Sequence, residues 1–141
     1  MILYLGTSSL IKLYVEEPHS NAVRQWVRDA EIVATCKVAH TETVSALDSC
    51  YQDKQLSKQE YERIIRAFSE DWPSFASVDF DEVRAGQLIK KYGLRRFDAM
   101  HLSAAKMICG ERPSLSFGFS SFDPKLCEAA AAEGMRVLTI T

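Results

Sequence analysis

Three carboxylates stand at positions where their chemistry needs a reason: Glu42 in VAHTETVSALDSC, Asp98 in FDAMHLSAA and Asp123 in SSFDPKL. They are far apart along the chain, and every donor is an oxygen. Oxygen-only ligand sets suit hard divalent cations such as Mg2+ or Mn2+. Such an ion can orient water and offset charge on a phosphate during phosphodiester hydrolysis. Without a cation, clustered carboxylates repel one another and titrate at higher pH. They would also repel a nucleic-acid backbone. Together, then, these residues point to metal-assisted cleavage of a phosphodiester.

Each residue also has a plainer reading. The neighbours of Glu42 at helical spacing are Val38, Ala39, Ser45 and Ala46, a small and apolar stripe that turns Glu42 toward the core or its rim. A buried glutamate costs several kcal/mol unless it is paired, protonated or bound to a cation. A buried arginine or backbone donors would satisfy it as well as a metal. Asp98 reads as the N-cap of a helix, accepting orphan N–H groups. His101, one turn on, either contacts Asp98 or a substrate, or simply sits at a solvent edge or packs. Asp123 is an N-cap with Pro124 at the first helical position, which leaves one oxygen free. Ser120 and Ser121 beside it could orient carboxylates or water.

Strands alternating with helices have to position these groups. Residues 2–5 are continuously apolar, as in a buried parallel strand. SSLIKLYVEE reads as a short helix ending before Pro18, and residues 20–29 as a second. EIVATC (31–36) is a strand, followed by helical periodicity from Val38 to about Cys50. Ser57 and Glu60 make a capping box for a helix reaching about Trp72. FASV (75–78) is a strand. Asp79 and Glu82 offer a second capping box, and Gly93 a helix stop. A helix is expected to start near Asp98 and end before Gly110, then a strand over 116–122 with Gly118 allowing close backbone approach, a helix from Pro124 that Gly134 ends, and a last strand over RVLTI (136–140). The pattern implies one α/β domain over 1–141, three-layered, with a mostly parallel sheet. Ligands of such sheets sit beyond the carboxyl ends of the strands, which directs attention to Gly6 and Asp123.

The 141 residues carry a formal net charge of -2 with 47% apolar residues, so no overall basic field marks a nucleic-acid partner. Any phosphate contact must be local, and Lys12, Arg95 and Arg96 are the candidates; the plainer reading of the arginine pair is a solvated loop. Cys36, Cys50, Cys109 and Cys127 lack metal-binding spacing and read as free thiols in a reducing cytoplasm. No apolar run is long enough for a membrane span, and the start MILYL lacks a basic leader, so no signal peptide is expected.

Four segments in this order, LYLGTSSLIKLYVEE, TETVSAL, RRFDAMHLSAA and FSSFDPKLCEAAAAEGMRVL, resemble the PIN-domain ribonucleases, specifically the VapC-type toxins of type II toxin–antitoxin (VapBC) pairs. The resemblance runs nearly end to end. It implies an α/β/α PIN-like fold, Mg2+- or Mn2+-dependent endoribonuclease activity, a cognate antitoxin, and commonly a homodimer. It places the family's acidic residues on Glu42, Asp98 and Asp123. The family's first aspartate, expected directly after the first strand, falls on Gly6. Glycine offers no side-chain oxygen, and Thr7 and Ser8 are neutral, so the resemblance implies an impaired metal site. Ser8 is expected to hydrogen-bond a neighbouring carboxylate or cap the first helix. The alternative is a naturally non-catalytic PIN-like module that binds RNA or protein. A DNA-directed nuclease is a third reading.

Overall fold

A computed structural model describes residues 1–110 and 116–140. Within them, β1 (Ile2–Leu5), β2 (Ile32–Cys36), β3 (Ala76–Val78) and β4 (Phe117–Ser120) form a parallel sheet in the order β3-β2-β1-β4. Register is set by Leu3 opposite Val33 on one side and Gly118 on the other. The connecting helices are α1 (Thr7–Ile11), α2 (Ser20–Asp29), α3 (Val38–Gln52), α4 (Lys58–Asp71), α5 (Glu82–Tyr92), α6 (Arg96–Gly110) and α7 (Pro124–Ala132).

Alternation along β1 builds two cores, because successive side chains of a strand point to opposite faces. Leu3 and Leu5 pack with Leu10, Val23, Ala39 and Phe68, which places α1 to α4 on that face. Tyr4 turns the other way, among Leu88, Leu102, Phe119 and Leu126, under α5 to α7. The result is the three-layer α/β/α arrangement the sequence pattern implies. None of the described helices is long and apolar enough to cross a membrane.

Several elements depart from the sequence-based expectation. The first helix is short, as expected, but α1 already ends at Ile11 and turns occupy the residues that follow; its N-cap Gly6 has no side chain to offer. The second capping residue is Asp81, not Asp79; its side chain accepts from Arg84 N. Helix α6 starts at Arg96, so Asp98 lies in its first turn and is not the cap. The segment RVLTI forms no full strand and touches the sheet through a single Phe119–Val137 bridge. By contrast, the Ser57–Glu60 capping box is complete, Gly93 closes α5 in the left-handed region at φ 68°, and Asp123 caps α7 ahead of Pro124. A side chain at Gly118 would meet Met1 Sδ at 2.9 Å, which is the close approach expected there.

The topology itself selects a site. From β1 the chain winds outward through β2 to β3, then returns to the other side of β1 as β4. The crevice where the winding direction switches lies between β1 and β4, and ligands of open α/β sheets bind in that crevice at the carboxyl ends of the strands. Gly6 follows β1 there, and Ser121 and Asp123 follow β4.

Candidate active site

Gly6 continues the β1–β4 ladder, its N–H donating to Ser120 O at 2.8 Å. Its backbone is extended, at φ -69° and ψ 164°, a conformation open to any residue. A Cβ at this position would lie 3.4 Å from Ser121 Cβ and 3.5 Å from Ser120 O, ordinary contact distances. Neither the dihedrals nor the packing therefore demands glycine.

Directly after it in the chain, Thr7 and Ser8 line a cleft of about 240 Å3 together with Glu42, Arg95, Asp98, His101, Ser121 and Asp123. It adjoins a second hollow of about 400 Å3 lined by Glu42, Arg95, Arg96, Phe97 and Asp98. The topology thus gathers the three carboxylates and most of their expected supporting residues at one sheet edge.

Glu42 is held by a network that reaches into the core. Thr7 Oγ1 donates to Glu42 Oε1 at 2.7 Å, and His101 Nε2 lies 2.8 Å from the same oxygen and 2.9 Å from Thr7 Oγ1. On the other side of the ring, His101 Nδ1 lies 2.8 Å from Tyr4 OH. Tyr4 donating to Nδ1 leaves Nε2–H to donate to Glu42 and Thr7, and the tautomer is assigned from that network. Burial pushes the Glu42 carboxyl up, but the hydrogen bond from His101, reinforced by Thr7, outweighs it and leaves Glu42 below its ordinary value. The partners of Glu42 are thus a histidine and a threonine rather than a buried arginine. His101, expected at a solvent edge or in packing, is 1% exposed and tied to a carboxylate. Tyr4 was not among the candidates from sequence. The signal was available in principle: a tyrosine in a continuously apolar strand needs a partner for its buried hydroxyl.

Asp98 and Asp123 share a different partner. Arg95 Nη2 donates to Asp123 Oδ2 at 3.1 Å, and Arg95 Nε lies 3.5 Å from Asp98 Oδ2. Burial raises the Asp98 carboxyl above its ordinary value, the negative charge of Asp123 adds to this, and Arg95 opposes it. The two carboxylates in turn raise the Arg95 guanidinium. Among the described residues, no three acidic, histidine or cysteine side chains converge tightly enough to ligate one ion. Two carboxylates do converge on a positive charge. Mg2+ keeps several waters and needs only one or two carboxylates, so Asp98 and Asp123 are the residues that could hold such a hydrated ion. They do not form a closed cage.

The serines serve the frame. Ser8 Oγ accepts from Phe122 N at 2.9 Å and meets Ser121 Oγ at 3.3 Å; Ser121 Oγ accepts from Asp123 N at 3.1 Å. The buried Ser9–Ser120 pair, at 2.7 Å, ties α1 to β4. Ser8 thus neither caps α1 nor bonds a carboxylate, and instead braces the loop that carries Asp123. Lys12 is not brought to the cleft: it is 8% exposed, pairs with Glu17 at 3.3 Å and sits 4.6 Å over the Phe122 ring. Arg96 lines the outer hollow.

A three-layer parallel α/β domain with an acidic cleft at its switch point defines the class. Residues 3–132 match the PIN domain family model, and the chain belongs to that family. It is 28% identical over 137 residues to ribonuclease VapC46 of Mycobacterium tuberculosis, covering 96% of this chain and 95% of that protein. Its fold is similar to those of FitAcB from Neisseria gonorrhoeae (TM-score 0.68, 16% identity, 99% of this chain and 97% of that chain) and PAE2754 from Pyrobaculum aerophilum (TM-score 0.66, 15% identity, 97% and 89%).

Proposed function

We propose that this chain is the toxin component of a type II toxin–antitoxin pair, with the active-site frame of a Mg2+- or Mn2+-dependent endoribonuclease and an activity impaired by Gly6. The full-length similarity to a ribonuclease supports the reaction class. The observation that carries the reading is local: Glu42, Asp98 and Asp123 line one cleft together with Thr7 and Ser8, directly after a strand end where a glycine stands without a structural need for one. The partners that go with this reading are an RNA substrate, a cognate antitoxin and a second copy of the chain, in the cytoplasm.

When bound, a divalent ion supplies an activated water and positive charge next to the scissile phosphate. The chain's own residues do the rest. Asp98 and Asp123 present oxygens at the cleft. Thr7 and His101 fix the Glu42 carboxylate through Oε1, and Tyr4 locks the imidazole that holds it. Ser8 and Ser121 hold the Asp123 loop. Arg95 and Arg96 provide cationic groups for a phosphate at the mouth. A carboxylate at position 6 would add a fourth negative group beside Glu42, Asp98 and Asp123.

A non-catalytic binding module is the second reading, favoured by one observation: Arg95 already answers two of the three carboxylates. Restoring the carboxylate separates the two. Gly6→Asp should produce Mg2+-dependent cleavage of RNA and growth arrest on expression. If the variant folds, is given Mg2+ or Mn2+ and cleaves neither RNA nor DNA, the nuclease reading falls. Cleavage of DNA in preference to RNA would correct the substrate.

A further inference from the structure

Arg95 is out of the ordinary for a surface arginine. Its side chain is 82% exposed, yet it turns back over the cleft and reaches two carboxylates carried by different elements, Asp98 in the first turn of α6 and Asp123 at the cap of α7. Its own backbone carbonyl accepts from Ala99 N at 3.0 Å, so the start of α6 anchors its main chain while the side chain stays free to leave. The position is also central, since Arg95 and Asp98 line both the inner cleft and the outer hollow.

We propose that Arg95 is a built-in counter-cation: its guanidinium holds the place between Asp98 and Asp123 that a divalent ion takes, so that ion loading and the Arg95 ion pairs exclude each other. This rests on the reading that the cleft takes a divalent ion. The physical reason is competition for the same oxygen, Asp123 Oδ2, and for the neighbouring Asp98 Oδ2. A carboxylate neutralised by a guanidinium has little charge left for a second cation, and guanidinium and ion repel at contact distance. Linkage makes the effect reciprocal: whatever free energy holds Arg95 on the two carboxylates is subtracted from ion binding, and ion binding releases Arg95 by the same amount. Once released, the side chain stands at the junction of the two hollows, where a phosphate held by the ion would meet it.

Arg95→Gln keeps a polar side chain and removes the charge. Mn2+ binding, read from the loss of the free-ion electron paramagnetic resonance signal, should tighten about 2- to 30-fold in this variant, the range that two exposed ion pairs give. Arg96→Gln, which removes a neighbouring charge of the same sign without touching Asp98 or Asp123, should change binding less. The second readout follows Arg95 itself. Its Nε–H resonance in a 15N spectrum, identified by its loss in Arg95→Gln, should shift when Mg2+ is added.

Unchanged or weaker Mn2+ binding in Arg95→Gln overturns the proposal, and so does a tightening that Arg96→Gln matches in full. Neither result touches the nuclease reading, which cleavage by Gly6→Asp decides separately. The absence of Mn2+ binding in all three chains and in Gly6→Asp would overturn both.

Discussion

If Gly6 occupies a position built for a side chain, adding atoms there should first help the fold and then, with charge, strain it until an ion arrives. Gly6→Ala tests the first half. The residue sits at φ -69° and ψ 164°, so alanine adopts the native backbone without strain, and its Cβ finds contacts no closer than 3.4 Å. The loss of unfolded-state freedom should then stabilise the protein by about 0.4–1 kcal/mol, or a rise in Tm of roughly 1–3 °C for a chain of this size. Gly6→Asp inherits that gain, and a few tenths more from capping α1. It also adds a charge to a cleft that already holds Glu42, Asp98 and Asp123. A like charge at roughly 7 Å costs about 2 kcal/mol at an effective dielectric of 20, and about half that after screening by salt. Without divalent ions, the aspartate variant should therefore be about 1 kcal/mol less stable than the alanine variant. Adding Mg2+ at ten times its dissociation constant should return about 1.4 kcal/mol to the aspartate variant and much less to the alanine variant.

Urea melts of wild type, Gly6→Ala and Gly6→Asp, each with and without Mg2+, read all of these quantities. A Gly6→Ala variant destabilised by more than about 1 kcal/mol would show that glycine is a backbone requirement after all. An aspartate variant as stable as the alanine one, and indifferent to Mg2+, would show that position 6 does not face the carboxylates. Either result refutes the idea that the glycine marks a missing ligand.

The network behind Glu42 gives a second test: His101→Leu leaves the buried Tyr4 hydroxyl without its partner and should cost about 1–3 kcal/mol in a denaturation curve, most of it recovered by adding Tyr4→Phe. Thr7→Val removes a hydrogen bond that favours the ionised carboxylate, so the Glu42 titration followed by 13C NMR should move upward toward the ordinary glutamate value. Away from the cleft, Glu133 is held by Lys106 at 2.8 Å and Lys91 at 3.0 Å, together with Tyr92, and its carboxyl is pulled down to about 2. A lowered carboxyl contributes stability that is complete above the unfolded value and lost as pH falls through the folded one, so the loss belongs between about pH 5 and 2. Allowing for the exposure of Lys91, the contribution is about 1–2 kcal/mol, and Glu133→Gln should flatten the acid limb of the pH–stability curve by that amount; an unchanged acid limb would discount the cluster.

The fold was legible where one signal sufficed. A continuous apolar run marked β1, the Ser57–Glu60 box marked the start of α4, and Asp123–Pro124 marked α7. It was less legible where neighbours decide the outcome. RVLTI has strand composition, yet only Val137 bridges to the sheet. FDAMHL looks like a capped start at Asp98, but Arg96 and Phe97 are already helical, and nothing local separates a cap from a first-turn aspartate. Asp79 and Asp81 are both plausible caps, and only the path of the chain chooses. The carboxylates themselves could be picked out because burial or an isolated acidic residue is conspicuous in sequence. Their partners could not. Arg95 meets Asp123 across 28 positions and His101 meets Glu42 across 59; the first pairing exists only once β4 has returned beside β1, the second only once α6 packs on α3.

These pairings also bear on what Gly6 does to the cleft as a whole. Three carboxylates face one guanidinium that bridges two of them and an imidazole and a hydroxyl that hold the third. With that set, no carboxylate lacks a polar partner from the chain itself. A fourth carboxylate at position 6 could accept from the first N–H groups of α1, but among the atoms nearest its Cβ it would meet no cation, only Ser121 and the Ser120 carbonyl. Its charge would have to be met by a cation from solution. On this argument the residue at position 6 does more than add or remove one ligand. It sets how much negative charge the site holds without an ion, and so how Arg95 and a divalent cation compete for Asp98 and Asp123. The double variant Gly6→Asp with Arg95→Gln should accordingly bind Mn2+ more tightly than either single variant.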